Sequence, residues 1–158
     1  MLKFKEWIKL IIWIVAFEAV GYLLGMLTQA NLHSWYDDLN KSVLTPPGSV
    51  FSIVWSILYV LIAIVGWALW QNRDSIKSKR LIYLYFIQLL MNWAWTPFFF
   101  NLHWLGFSFL WIIIMVIINA VIIIDVKNEK RVIALALIPY FLWLTFAAYL
   151  NGVIWALN

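Results

Sequence analysis

Residues 104–124, WLGFSFLWIIIMVIINAVIII, decide the fold class of this chain. From Ile112 onward the only polar side chain in this stretch is Asn119. A helix in a soluble bundle needs a polar face, and this stretch cannot provide one. At 1.5 Å per residue, its length is sufficient to cross the roughly 30 Å hydrocarbon core of a bilayer. The stretch therefore predicts a transmembrane helix.

Four further apolar runs of similar length lie along the chain. The five predicted spans are about 7–27, 50–70, 81–100, 104–124 and 132–155. Together they take up most of the sequence and leave no room for a soluble domain. We therefore predict an all-α integral membrane protein with one domain, residues 1–158. It is a five-transmembrane-helix bundle with a long outer loop, residues 28–49, between helices 1 and 2.

The composition excludes several classes of protein. The hydrophobic fraction is 66% and the charged fraction 11%, against about 45–50% and about 25% in soluble domains. These fractions exclude a cytosolic globular enzyme, a disordered chain and a nucleic-acid-binding protein. The absence of Cys excludes a thiol nucleophile and cysteine metal sites. The chain has no phosphate-binding loop and no nucleophile elbow, so the sequence favours a binding protein over an enzyme.

The distribution of Lys and Arg predicts the orientation. Ten of the 11 basic residues lie before or in the first turn of span one, between spans two and three, or between spans four and five, and only Lys41 lies on the other side. This bias places the N-terminus in the cytoplasm and the C-terminus outside. We expect a bacterial plasma membrane, with the basic segments touching anionic membrane lipid.

The outer loop shows internal order. Ser34 and Asp37 fit a capping box, which predicts a short helix through Trp35 and Leu39. The segment Thr45-Pro46-Pro47-Gly48 ends that helix, and either proline fits the first turn of span two. The loop is compatible with a lid over a binding site and equally with an interfacial belt of Trp and Tyr.

Polar and aromatic residues share one face on four of the spans. The stripes are Gln88, Asn92, Trp95 and Phe99; Tyr140, Trp143, Ala147 and Asn151; Trp55, Tyr59, Ile62 and Gly66; and Glu18, Tyr22 and Gly25. Turned inward, they form an aromatic pocket suited to a flat apolar ligand, with amides to orient it. Any single residue is better explained as contact between helices, whereas the whole set pointing one way favours the pocket. Span four lacks such a stripe and is predicted to be peripheral.

Two features of span one leave alternatives open. Glu18 could bind ligand, carry protons, or bond Tyr22 or another helix. Gly21 and Gly25 form a GxxxG pattern, which suggests a homodimer. Elsewhere, His33 and His103 lie in outer loops without a third ligand, so no metal site is predicted.

The motifs resemble the tryptophan-rich sensory protein and translocator protein family (TspO/MBR) over nearly the whole chain. They are Trp35-Tyr36 with Leu39 and Lys41, Thr45–Gly48, Trp55 with Leu58-Tyr59, Gln88–Asn92 with Trp95 and Phe98-Phe99, and Pro139–Trp143 with Phe146-Ala147, Tyr149–Asn151, Trp155 and Asn158. The resemblance implies a five-helix bundle, often a homodimer. It implies binding of porphyrins such as protoporphyrin IX and haem, and of benzodiazepine-type drugs.

By motif position, the resemblance places the family pocket on Tyr36, Pro46, Trp55, Asn92, Trp143 and Ala147. Neighbouring motif and stripe residues widen this set. The predicted ligand-binding set is Tyr36, Pro46, Pro47, Trp55, Tyr59, Gln88, Asn92, Trp95, Tyr140, Trp143, Phe146, Ala147 and Asn151. No cofactor is required, and a porphyrin or haem enters as ligand. The resemblance also implies an activity of some bacterial members, which degrade porphyrin in a reaction that needs light and oxygen. The two pocket tryptophans involved match Trp55 and Trp143 in this chain. The chain departs from the family pattern at two positions. No basic residue follows Tyr149, so the cholesterol-recognition motif of the animal members is unsupported. Ala148 stands where many relatives have Thr.

Three functions follow from these observations. The first is a tetrapyrrole-binding membrane sensor, receptor or carrier. The second is a light-dependent porphyrin-degrading activity of the same pocket. The third is a membrane assembly protein in which the aromatic residues only pack helices together.

Overall fold

The computed structural model of the chain describes residues 4–33, 35–73, 76–128 and 130–158. Five long helices make up the fold: α1 Phe4–Leu32, α2 Gly48–Trp70, α3 Ile76–Thr96, α4 Leu105–Val126 and α5 Arg131–Leu157. Within these described ranges there is no β-strand. The predicted all-helical fold is therefore confirmed.

Four of the helices, α1, α2, α4 and α5, are long and apolar enough to cross a membrane. Helix α3 is less apolar, because it carries Gln88 and Asn92 and has the basic residues Lys79 and Arg80 near its start. Both amides are buried inside the bundle. The two amides thus face other helices, whereas Lys79 and Arg80 lie on the exposed surface at the start of α3.

The two ends of the bundle differ in chemistry. At the loop end, residues 33–47 connect α1 to α2, and α3 passes into a π-helical turn, Pro97–Asn101. Pro97 lacks an amide hydrogen and clashes with the preceding turn, which explains why regular α-helix stops there. At the basic end lie the N-terminus of α1 and the connections from α2 to α3 and from α4 to α5.

The α1–α2 connection differs in detail from the sequence prediction. Only Tyr36–Asp38 form a helical turn, of the 3₁₀ type, and Leu39 is already extended, with ψ 143°. Ser34, the predicted cap, lies outside the described residues. The Asp37 carboxylate instead contacts His33 Nδ1 at 2.9 Å. Helix α2 begins at Gly48, so Pro47 caps the helix and neither proline lies inside its first turn.

The prediction that the fourth span is peripheral is wrong. Helix α4 buries a regular stripe of side chains, Ser108, Ile112, Met115, Asn119, Ile122 and Val126. In its most apolar window 28% of residues are buried, against 11% in α1. A helix can face the interior of a membrane bundle without a polar stripe, and α4 packs mainly through apolar side chains.

Close approach between α4 and α5 explains why α4 is internal. A Cβ atom at Gly106 would lie 2.8 Å from Trp155 Nε1, and one at Gly152 would lie 2.9 Å from Phe109 Cε2. Each helix thus offers a glycine that receives an aromatic ring of the other. Small residues at such positions let membrane helices pack closely.

Candidate functional site

A buried polar network joins three helices in the middle of the bundle. Tyr59 on α2 donates a hydrogen bond to Asn92 Oδ1 at 3.0 Å, and Asn92 Nδ2 donates to the Tyr140 hydroxyl at 2.9 Å. Gln88 Nε2 donates to the same hydroxyl. All four side chains are buried, and Tyr140 is 0% exposed. We call these residues, Tyr59, Gln88, Asn92 and Tyr140, the inner polar network.

Helices α1 and α2 enclose this network. The Trp55 ring is half-buried, with its centroid 5.6 Å from that of Tyr59 and 6.4 Å from that of Tyr140. On α1, a Cβ atom at Gly21 would lie 2.7 Å from the Tyr59 ring. Glu18 lies beside Ser56 of α2, which supports contact with another helix rather than with Tyr22. Tyr22 itself is 71% exposed.

Next to the network, α2 and α5 present a row of aromatic rings. Trp143 contacts Phe51 at 5.6 Å and Phe146 at 5.7 Å between centroids, and Phe146 stacks on Tyr149 at 6.4 Å. We call Phe51, Trp143, Phe146 and Tyr149 the aromatic row. Trp143 Nε1 is buried and has no hydrogen-bond partner in the described part of the chain. Unpartnered buried donors are uncommon in native proteins and call for an explanation.

A second aromatic group lies under the loop. Trp95 stacks on Phe99 at 5.0 Å, and its Nε1 donates to Asn151 Oδ1 at 3.1 Å. Tyr36 and Trp35 contact the same π-helical turn from above, at 6.2 Å and 5.5 Å from the Phe99 centroid. Tyr36 therefore belongs with Trp95 and Asn151, and this group forms a small core of its own at the loop end.

Sequence reasoning missed two contributing residues, His103 under the loop and Phe51 in the aromatic row. The His103 ring stacks on Trp35 with 3.8 Å between centroids, although its backbone adopts an unusual φ of 56°. A positive φ is unfavourable for a non-glycine residue, so packing must compensate for it. Phe51 was also missed, although it precedes Trp55 by four residues and the helical repeat would have placed it on the same face.

Hydrogen bonds fasten the loop to the end of α5. Asn158 Oδ1 accepts from the Asn40 amide at 2.9 Å, and Asn158 Nδ2 donates to the Asn40 carbonyl at 3.0 Å. Ser42 Oγ and the Tyr149 hydroxyl are 3.0 Å apart, so the loop also reaches the aromatic row. Lys41 donates to the Tyr36 carbonyl at 2.6 Å. Burial, and to a lesser degree the Asp37 carboxylate, raises the pKa of Tyr36 above its ordinary value.

We expect Asn158→Ala to loosen this loop. The substitution removes all three side-chain bonds between Asn158 and Asn40, worth about 1 kcal/mol together because the site is exposed. Backbone amides of residues 35–47 should then exchange with solvent about fivefold faster in hydrogen-exchange mass spectrometry. Asn31→Ala is the matched control, since Asn31 donates to the Leu27 carbonyl within α1. Equal exchange in the parent protein and Asn158→Ala would contradict the fastening.

The predicted site residues thus fall into three places. Tyr59, Gln88, Asn92 and Tyr140 converge with Trp55; Trp143 and Phe146 lie in the aromatic row, with Ala147 half-buried beside them; and Tyr36, Trp95 and Asn151 lie under the loop. Pro46 is half-buried and Pro47 exposed before α2. Two cavities, of about 340 Å³ and 510 Å³, lie at the basic end and contain none of these residues.

Known proteins resemble this chain along almost its whole length. The tryptophan-rich protein TspO of Archaeoglobus fulgidus is 32% identical over 96% of this chain and 97% of its own. The translocator protein of Sus scrofa is 30% identical over 91% and 89%, and protein CrtK of Rhodobacter capsulatus is 30% identical over 79% of each chain. The model of the TspO/MBR family matches residues 12–156, from α1 to α5. The family predicted from the motifs is confirmed, and the chain belongs to the TspO/MBR family.

Proposed function

We propose that this membrane protein binds flat, apolar tetrapyrroles such as protoporphyrin IX or haem against Trp55, Trp143 and Phe146. The observation that carries the proposal is the Trp143 Nε1 donor, which is buried without a partner in the part of the chain described. A ligand carboxylate or ring acceptor would satisfy it. The neighbouring rings provide apolar faces for stacking, which favours a planar ligand.

The network explains how the ligand face is held rigid. The amides of Gln88 and Asn92 both donate to Tyr140 and are 2% and 4% exposed, so in our proposal they support the site from inside the bundle and do not touch the ligand. In our proposal the network fixes Trp55 from behind, and Trp143 makes the directional contact. From the sequence, we expected the amides of Gln88 and Asn92 to orient the ligand. In the present proposal, the indole N–H of Trp143 orients it, and the two amides support the site.

Entry of the ligand requires the loop to move. Ser42 contacts Tyr149, which belongs to the aromatic row, so the docked loop borders the proposed binding face. Breaking that contact and the Asn40–Asn158 pair would release residues 39–45 without disturbing the helices. This supports the lid interpretation of the loop over a purely interfacial belt.

The membrane arrangement completes the proposal. We infer that α3 crosses the bilayer with the other four helices, because its polar side chains Gln88 and Asn92 are 2% and 4% exposed. The basic end faces the cytoplasm of a bacterial plasma membrane and the loop end faces outward. Gly25 has nothing within 4 Å of a Cβ atom built on it, which leaves this part of α1 open for a homodimer contact.

We expect Trp143→Phe to weaken protoporphyrin IX binding about tenfold, because an aromatic ring is kept while the buried Nε1 donor of Trp143 is lost. Titration of the purified protein, followed by quenching of tryptophan fluorescence, measures the Kd. Trp7→Phe is the matched control, since Trp7 lies near the basic end and is 51% exposed. Identical affinity in Trp143→Phe and Trp7→Phe would refute the Trp143 contact.

The same titration separates the three candidate functions. Binding that is stable in light and in the dark supports a sensor or carrier. Loss of porphyrin absorbance only with protein, light and oxygen would support the degrading activity, for which Trp55 and Trp143 are the predicted electron donors. Failure of every flat apolar ligand to raise the melting temperature would favour a membrane assembly protein.

A further inference from the structure

A groove between α2 and α3 at the basic end has no part in the proposed tetrapyrrole site. Its volume is about 510 Å³, and it opens to the surroundings of the protein. Its lining is Trp70, Arg73, Lys79, Ile82, Tyr83 and Phe86. We call it the basic groove.

Two cations lie at the rim of the basic groove. The Arg73 guanidinium lies over the Trp70 ring, 5.2 Å from its centroid, and donates to the Trp70 carbonyl at 3.1 Å. Among the described residues, neither Arg73 nor Lys79 forms an ion pair with a carboxylate. Arg80, the next residue, does so with Asp125 at 3.3 Å and therefore belongs to the contact with α4. The Arg73 guanidinium carries five N–H donors, and within the described residues only the Trp70 carbonyl accepts from it.

The wall of the basic groove is apolar and aromatic. Trp70 and Phe86 make an edge-to-face contact at 6.5 Å, and they join the two helices behind the rim. Tyr83 is 70% exposed and Trp70 is 44% exposed. Ile82, Tyr83 and Phe86 continue along α3 away from the two cations. The groove thus has positive charge at one end and a continuous apolar surface at the other.

We propose that the basic groove binds an acidic phospholipid. Its phosphate lies between Arg73 and Lys79, and the first part of an acyl chain lies against Tyr83 and Phe86. Basic pockets between membrane helices are suited to anionic headgroups, and Trp and Tyr are preferred at the depth where headgroup meets hydrocarbon. Charge complementarity selects an anionic headgroup, and the apolar wall selects a lipid over free phosphate.

The test compares lipid retention by the purified full-length protein in native mass spectrometry. Phosphatidylglycerol and phosphatidylcholine with identical chains are titrated into the detergent-solubilised protein. We expect one phosphatidylglycerol to bind in preference to phosphatidylcholine. Arg73→Gln with Lys79→Gln should weaken its binding about thirtyfold, because each basic residue near an anionic lipid surface contributes about fivefold in affinity and the two contributions multiply. Tyr83→Ala should weaken it as well, with no change in charge.

The control removes the same charge from the same end outside the groove. Lys5 and Lys127 are both exposed, and Lys5→Gln with Lys127→Gln should lower affinity less than about threefold. An equal loss in the two double variants would overturn the site in favour of diffuse attraction. Equal binding of both lipids, or displacement of phosphatidylglycerol by inorganic phosphate at the same concentration, would also overturn it.

Discussion

Removal of one oxygen atom in Tyr140→Phe is expected to lower the free energy of unfolding by about 2 kcal/mol. The Tyr140 hydroxyl accepts from Gln88 Nε2 and from Asn92 Nδ2, so the substitution leaves two buried amide donors without an acceptor. Tyr140 is 0% exposed, and water cannot replace the lost oxygen without opening the bundle. About 1 kcal/mol for each orphaned donor agrees with measurements on hydrogen bonds between membrane helices.

Tyr22→Phe is the matched control for this prediction. Tyr22 is 71% exposed, and loss of its hydroxyl should change the free energy of unfolding by less than about 0.5 kcal/mol. Unfolding in mixed micelles with increasing denaturing detergent measures both variants. Similar midpoints for Tyr140→Phe and Tyr22→Phe would mean that the inner polar network does not stabilise the fold.

The sequence was sufficient to predict which side chains share a face. Helical periodicity fixes the direction of residues four and seven apart, so Gln88, Asn92 and Trp95 had to point the same way. The same holds for Tyr140 and Asn151. In the structure the two stripes meet, as Asn92 contacts Tyr140 and Trp95 contacts Asn151.

The sequence was not sufficient to predict contacts between helices where no stripe of polar and aromatic residues marks the inner face. The rotation of α4 depends on the contacts of Gly106 with Trp155 and of Gly152 with Phe109. In the sequence, these four residues do not stand out from the apolar residues around them. The place of Tyr36 depends on the π-helical turn after Pro97, which moves Phe99 and Phe100 under the loop. Relative height and rotation of helices are tertiary properties, so a periodic pattern within one helix cannot supply them.

The GxxxG pattern of α1 illustrates the same limit. Its spacing places Gly21 and Gly25 one turn apart on the same general side of the helix, where a single role in helix association would be expected. The surroundings of the two glycines nevertheless differ. Gly21 faces the Tyr59 ring of its own chain, whereas Gly25 faces open space. Within one motif, Gly21 therefore makes a contact inside the chain, and Gly25 is available for contact with a second copy of the protein.

Gly21→Leu is accordingly expected to destabilise the protein by about 3 kcal/mol. A Cβ atom at this position would lie 2.7 Å from Tyr59 Cδ2 and Cε2, closer than atoms normally approach. Tyr59 cannot move away freely, because it is 6% exposed and its hydroxyl donates to Asn92 at 3.0 Å. Displacing the ring would break that bond and expose the inner polar network, so we also expect weaker tetrapyrrole binding.

Gly25→Leu provides the comparison, since it adds the same side chain to the same helix one turn later. A Cβ atom at Gly25 meets nothing within 4 Å, and the monomer should keep its free energy of unfolding to within about 0.5 kcal/mol. If α1 forms a homodimer through Gly25, crosslinking in membranes should decrease in Gly25→Leu although the fold is intact. Equal destabilisation by the two leucines would show that the Gly21–Tyr59 contact is not specific. Because both variants have the same length, charge and helix propensity, only the surroundings of the two glycines can separate their stabilities.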